Sequence, residues 1–114
     1  QMFMPGKPQV WYLDLFAGKN DHEAVQRAGE SGHKEINRTN LSTDQITEGL
    51  KKDVVQKQLA LIRMRNTHKA FSEGAEVAIF GGESSLEIRW EYNSAFVTLY
   101  VNFESGTYTI VESR

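Results

Sequence analysis

Pro8-Gln9-Val10-Trp11-Tyr12-Leu13-Asp14-Leu15-Phe16-Ala17 is the stretch on which the fold turns. Only Gln9 and Asp14 break an apolar run with aromatic and β-branched residues at its centre, and a Pro5-Gly6-Lys7-Pro8 turn precedes it. A short continuous apolar run behind turn residues predicts a strand, over 9–16, buried on both faces. Strands of that kind belong to parallel sheets covered by helices. No other segment of the chain could supply parallel neighbours, so the partners of this strand are expected to lie outside the polypeptide. The preceding Gln1-Met2-Phe3-Met4-Pro5 has neither the basic head nor the long apolar body of a signal peptide, and reads as a chain entered part-way through an element.

Beyond Ala17 the character changes twice. Residues 18–41 are polar, rich in Gly, Asn and charge, and lack a clear period. A loop of that length is either functional or a disordered connector. Residues 42–71 read as two helices. Ser42 and Gln45 fit a capping box, in which the hydroxyl and the amide each satisfy an orphan backbone N–H. Gly49 and Lys51-Lys52-Asp53 are expected to interrupt the first helix, with Asp53 and Gln56 capping the second. In that second helix Val55, Leu59 and Ile62 recur at helical spacing.

Residues 76–112 switch to a period of two. Leu86, Ile88, Trp90 and Tyr92 alternate with Glu87, Arg89 and Glu91, while Val97, Leu99, Val101 and Phe103 alternate with Thr98, Tyr100 and Asn102. Gly81-Gly82, Asn93-Ser94 and Ser105-Gly106 punctuate the runs at hairpin spacing. The pattern predicts a four-stranded antiparallel meander over 76–80, 85–92, 96–103 and 107–112, with the preceding helix as its cover. The expected fold class is therefore α+β.

A chain of 114 residues supports one modest core. The formal net charge of −2 excludes the basic excess that nucleic acid or an anionic membrane surface would call for. No apolar run approaches the roughly 18 residues a membrane-spanning helix needs. Without cysteine neither a disulfide framework nor a thiolate metal site can form. The expected location is the cytoplasm, which the lack of cysteine fits.

Chemistry at a glycosidic bond requires two carboxylates held in a cleft. Asp44, Glu48 and Asp53 fall near helix starts, where negative charge suits the dipole, and Glu87, Glu91 and Glu112 fall on the expected wet face of strands. None pairs with another, so no catalytic residue is expected in this chain. His22, His33 and His68 show no zinc-ligand spacing, so neither a metal nor another cofactor is expected. Trp90 and Tyr92 read first as core aromatics, and as the contact surface of a carbohydrate-binding or oligomerisation module under a rival reading. The informative segment is 17–40. Ala17-Gly18-Lys19-Asn20-Asp21 follows the C-terminal end of the expected strand, the end that carries active sites in barrel enzymes. Further on, Arg38 in Glu35-Ile36-Asn37-Arg38 offers a planar fork of donors to sugar hydroxyls or phosphate, or makes a loop ion pair.

Together these segments resemble the sucrose phosphorylase subgroup of glycoside hydrolase family 13. Pro5-Gly6-Lys7-Pro8-Gln9-Val10-Trp11-Tyr12 is similar to the family's Pro-Gly-x-Pro-Gln-Val-Tyr-Tyr, and Leu15-Phe16-Ala17-Gly18-Lys19-Asn20-Asp21 to its Leu-Leu-Ala-Gly-Lys-Asn-Asp. Glu35-Ile36-Asn37-Arg38 is similar to its Asp-Ile-Asn-Arg, and Arg63-Met64-Arg65-Asn66 to its Phe-Arg-Asn. The resemblance implies the end of a (β/α)8 barrel, with last strand, long loop and last helices in 1–71, followed by a small antiparallel β-domain in 72–114. It implies a parent that is a retaining glycosyltransferase. An aspartate attacks the glucosyl carbon, a glutamate protonates the leaving group, and phosphate as co-substrate captures the glucosyl-enzyme as α-glucose 1-phosphate. Those carboxylates lie on earlier barrel strands in the family, so the chain alone is expected to be inactive.

The resemblance also assigns Arg38, with Asn37, to the donor glucosyl ring, and His33, Lys34, Thr39 and Asn40 to a loop on the acceptor side. Where the family usually has His-Tyr-Tyr after Ile-Asn-Arg, this chain has Thr39-Asn40-Leu41, and Asp14 stands where a glycine is common. That pattern looks more like relatives acting on glucosylglycerol, glucosylglycerate or a sucrose phosphate. The implied partners are a small sugar substrate and phosphate, with no nucleic acid and no membrane. The sticky edge of the 9–16 strand predicts self-association of the isolated chain or disorder of residues 1–40.

Overall fold

The computed structural model describes residues 1–113, in two compact units: residues 9–60, and residues 1–8 together with the chain from Leu61 onward.

The second unit is built on a four-stranded antiparallel meander in the order β1-β2-β3-β4, with β1 at Glu76–Gly81, β2 at Ser85–Tyr92, β3 at Ala95–Asn102 and β4 at Thr107–Glu112. The register pairs Ile79 with Ile88, Ile88 with Leu99, and Leu99 with Ile110, so an apolar row crosses all four strands on one face. Two-residue periodicity dictates this: a slip by one position would turn the row to water. The Tyr92–Ala95 hairpin turns at Asn93, whose φ of 54° is a left-handed conformation that asparagine adopts more readily than most residues.

The apolar face is closed by Phe3, Ala70, Leu61, Met64 and Phe71 over Ile88, Trp90 and Val97. Trp90 is the keystone. Its ring lies 5.4 Å from that of Phe71, the Arg65 guanidinium stacks 4.1 Å above it, and its Nε1 donates to the Phe3 carbonyl at 2.6 Å. It is 7% exposed, so it serves the core and is no contact surface. Burial lowers the Arg65 pKa from its usual value. Its Nη2 donates to the Gly6 carbonyl at 3.0 Å, while Nη1 is buried without a partner among the described residues. Residues 1–8 thus join the sheet's core through Phe3 and Gly6 rather than standing unsupported.

The expected strand over 9–16 is not a strand. Trp11 is extended, but Tyr12–Leu15 forms a one-turn helix, α1, that buries Leu13 and leaves Trp11 and Tyr12 exposed. A strand exists only by pairing, and the sheet formed among the described residues is the β1–β4 meander, which this segment does not join. Helix α1 closes in a Schellman motif: Gly18 N–H donates to the Leu13 carbonyl at 2.8 Å and Ala17 N–H to the Asp14 carbonyl at 3.1 Å, with Ala17 at a φ of 47°.

Nor is 18–41 a plain loop. Helix α2 spans His22–Ala28, capped by the Asp21 carboxylate accepting from Ala24 N–H at 2.8 Å, and a 3-10 stretch covers Gly29–Glu35. Helix α3, Thr43–Leu50, opens with the expected Ser42–Gln45 capping box, both bonds present. Gly49 does not interrupt it. It is buried within α3, where the helix passes close to Phe16. Helix α4, Asp53–Thr67, starts without the expected Asp53–Gln56 cap: Asp53 pairs with Lys57 at 2.7 Å and Gln56 Nε2 reaches back to the Leu50 carbonyl.

Candidate functional site

Of the residues singled out in 33–40, His33 and Lys34 end the 3-10 stretch, and Asn37, Arg38, Thr39 and Asn40 lie on its connection to α3, inside the unit of residues 9–60. What positions them is a set of side chains bonded to main-chain carbonyls. Trp11 Nε1 donates to the Asn37 carbonyl at 2.7 Å, and the Tyr12 hydroxyl to the Thr39 carbonyl at 2.9 Å. Thr39 Oγ1 donates to the Lys19 carbonyl at 2.8 Å, and Asp21 N–H to the Ile36 carbonyl at 2.8 Å. The two ends of the long segment are thereby tied across about twenty residues. The sequence reading placed Trp11 and Tyr12 in a buried strand and missed this role. The signal was in their chemistry, since both carry an apolar body and a polar tip that seeks an acceptor.

Arg38 is half exposed and forms an ion pair with Glu35, Nη1 to Oε1 at 3.2 Å, within a turn closed by Arg38 N–H on the Glu35 carbonyl. A guanidinium has five N–H donors, so this bond occupies one and leaves the rest of the fork available. His33 and Lys34 stand exposed at the end of the 3-10 stretch, and Asn37 and Asn40 are exposed as well. These candidates occupy one contiguous and largely exposed segment. The structure does not bring Arg38 into the neighbouring cleft.

That cleft, about 380 Å³, is lined by Phe16 to Lys19, Thr39, Leu41 and the inner face of α3, with Lys52 at its edge. Lys52 Nζ donates to the carbonyls of Ala17 at 2.9 Å and Phe16 at 3.3 Å, pinning the strained turn after α1. Thr39 is the one candidate residue that lines it. The acidic side chains nearby are engaged locally: Asp21 and Glu23 with Arg27, Glu48 with Lys51, and Asp53 with Lys57. Among the described residues no group of three or more His, Asp or Glu is placed to hold a metal ion. Among the described residues no helix is long and apolar enough to cross a membrane.

No family model matches the chain. Individual relatives do. A sucrose 6(F)-phosphate phosphorylase of Ilumatobacter coccineus is 48% identical over 114 residues, spanning 100% of this chain and 22% of the relative. The chain is sucrose-phosphorylase-like. A glucosylglycerol phosphorylase of Marinobacter adhaerens is 36% identical over 117 residues, covering 99% of this chain and 24% of the relative. The crystal structure of sucrose 6F-phosphate phosphorylase from Thermoanaerobacter thermosaccharolyticum superposes with a TM-score of 0.88 at 36% identity, covering 100% of this chain and 23% of that one. The sucrose-phosphorylase-like chain therefore spans less than a quarter of the length of these proteins and corresponds to their C-terminal region, helices followed by a small antiparallel sheet.

Proposed function

We propose that this chain is the C-terminal part of a retaining α-glucoside phosphorylase. The whole enzyme would move a glucosyl group between a sucrose-like or glucosylglycerol-like α-glucoside and inorganic phosphate, releasing α-glucose 1-phosphate. The observation that carries the reading is similarity over the full 114 residues, at 48% identity, to a sucrose 6(F)-phosphate phosphorylase. Residues 1–71 would complete the catalytic barrel and 72–114 form the appended β-domain. The catalytic carboxylates belong to the rest of the enzyme, and the local ion pairing of Asp21, Glu23, Glu48 and Asp53 is in keeping with an inactive fragment.

Within this reading Arg38 and Asn37 hold the donor glucosyl ring. Glu35 orients the guanidinium from one side while its free N–H groups face the vicinal hydroxyls, a geometry a lysine cannot reproduce. His33, Lys34, Thr39 and Asn40 shape the acceptor side. The exposed Lys34 ammonium favours an acceptor carrying a phosphate or carboxylate, in keeping with the sucrose 6(F)-phosphate phosphorylase at 48% identity against 39% for a sucrose phosphorylase of Agrobacterium vitis.

The test is an acceptor screen on the whole encoded protein with glucose 1-phosphate, following phosphate release with fructose, fructose 6-phosphate, glycerol and glycerate. Release with one of them is expected, and silence with all would overturn the phosphorylase reading. In the active enzyme Lys34→Gln should raise KM for a charged acceptor by about tenfold, as expected from losing one charge-assisted hydrogen bond, without changing a neutral one.

A further inference from the structure

The face of the sheet that turns away from its core carries a feature the phosphorylase reading leaves unused. The register sets Phe80, Glu87 and Tyr100 side by side on three neighbouring strands. In a sheet such partners share a face, with strands about 4.8 Å apart. Two aromatic rings therefore flank one carboxylate. Phe80 is 63% exposed and Tyr100 43%, whereas Glu87 between them is half-buried.

The next row shows why that carboxylate stands alone. Arg89, two residues along β2 on the same face, turns away from it. Its Nε donates to Glu91 at 3.0 Å, its Nη1 to Thr98 Oγ1 at 3.2 Å, and its guanidinium stacks 4.3 Å over the Phe96 ring. Glu87 has no ion pair and no side-chain hydrogen bond among the described residues. A half-buried carboxylate without a partner is an acceptor waiting for donors. The row opens into a cleft of about 340 Å³ that continues past Ser85 to Gly81 and Gly82, where the missing side chains expose main chain. That volume suits a small molecule.

We propose that this cleft binds a glucoside, separately from any catalytic site. Rings stack against the C–H faces of a pyranose, and a carboxylate beside a hydroxyl accepts and exchanges hydrogen bonds with neighbouring sugar hydroxyls. Phe80 and Tyr100 supply the platforms, Glu87 the charged acceptor and Ser85 the neutral partner. A lone cation would use the rings and the carboxylate but not Ser85 or the exposed glycine backbone, and it would not need a cleft of this volume.

The site lies wholly within the sheet unit. The experiment is an amide-shift NMR titration of the whole encoded protein with maltose, with tetramethylammonium chloride as the cationic control. Maltose should shift the amides around Phe80, Glu87 and Tyr100 saturably, and the cation should not. Glu87→Gln should weaken maltose binding about tenfold, the scale of one hydrogen bond to a charged group, and Tyr100→Ala, which removes a stacking ring, by a similar factor. Tyr100→Phe, which keeps the ring, should bind within about twofold, and unchanged shifts elsewhere in each variant would establish that the sheet is folded. Absence of maltose shifts, shifts produced by the cation alone, or binding indifferent to Tyr100→Ala and Glu87→Gln would each overturn the proposal.

Discussion

The unit around the sheet and the unit of residues 9–60 are held together by different kinds of contact. The sheet unit buries Phe3, Ala70, Ile88, Trp90 and Val97 in one apolar cluster, each fully buried large side chain worth about 1.5–3 kcal/mol. In residues 9–60 the buried apolar side chains are Leu13 and Val55, and a set of long-range polar contacts joins distant segments. Trp11, Tyr12, Thr39, Lys52 and Gln58 each reach a main-chain carbonyl at least 20 residues away. A net hydrogen bond contributes only about 0.5–1.5 kcal/mol. Such stitching fixes direction better than it resists opening, whereas a packed apolar cluster resists opening.

The largest expected effect comes from breaking the sheet's keystone. Trp90→Ala removes the ring that stacks on Phe71 and Arg65 and the donor to the Phe3 carbonyl. Truncations of this kind cost about 3–5 kcal/mol. Urea unfolding followed by far-UV circular dichroism should show the loss, and hydrogen exchange should place it in β2 and β3. Equal loss of protection across 9–60 would abolish the contrast, because the units would then open as one. A smaller and more local effect is expected at Gly32, where an added Cβ would overlap the backbone carbonyl of Val25. Gly32→Ala must displace the 3-10 stretch from α2, at about 1–3 kcal/mol. Amides of His22–Glu35 should exchange faster while those of β1–β4 keep their rates.

The same contrast governs how much was legible in advance. The four strands could be read to within a residue at most ends, because alternation such as Leu86, Ile88, Trp90 around Glu87 and Arg89 is a direct image of one face buried and one wet. The Ser42–Gln45 cap was legible for a similar reason, as both partners sit within one turn. The cover contributed by Phe3 was not, since it lies 87 residues from its partner Trp90. Nor was the lone carboxylate: the strand pattern marks Glu87 as outward, but only the register shows which rings stand beside it. For the candidate loop, the motif gave Arg38 and its neighbours, while the residues that hold the loop, Trp11 and Tyr12, were disguised as strand. An apolar run of eight or so residues fits a strand and a buried helical turn equally well.

Ala17 carries the smallest expected effect and the most discriminating one. It occupies the C′ position of α1 at a φ of 47°, where glycine is the usual residue because a Cβ crowds the following carbonyl. The left-handed conformation costs an alanine about 1–2 kcal/mol. Ala17→Gly removes that cost but gives the unfolded chain more freedom, worth about 0.4–1 kcal/mol in the opposite direction. The difference leaves a net stabilisation of about 0.5 kcal/mol, confined to the turn that Lys52 pins through the Phe16 and Ala17 carbonyls. Slower exchange of the Ala17 and Gly18 amides, with the sheet unaffected, is the expected readout. Faster exchange would mean that the alanine methyl contributes packing of its own, and that this polar-stitched unit depends on apolar contact more than its bonds suggest.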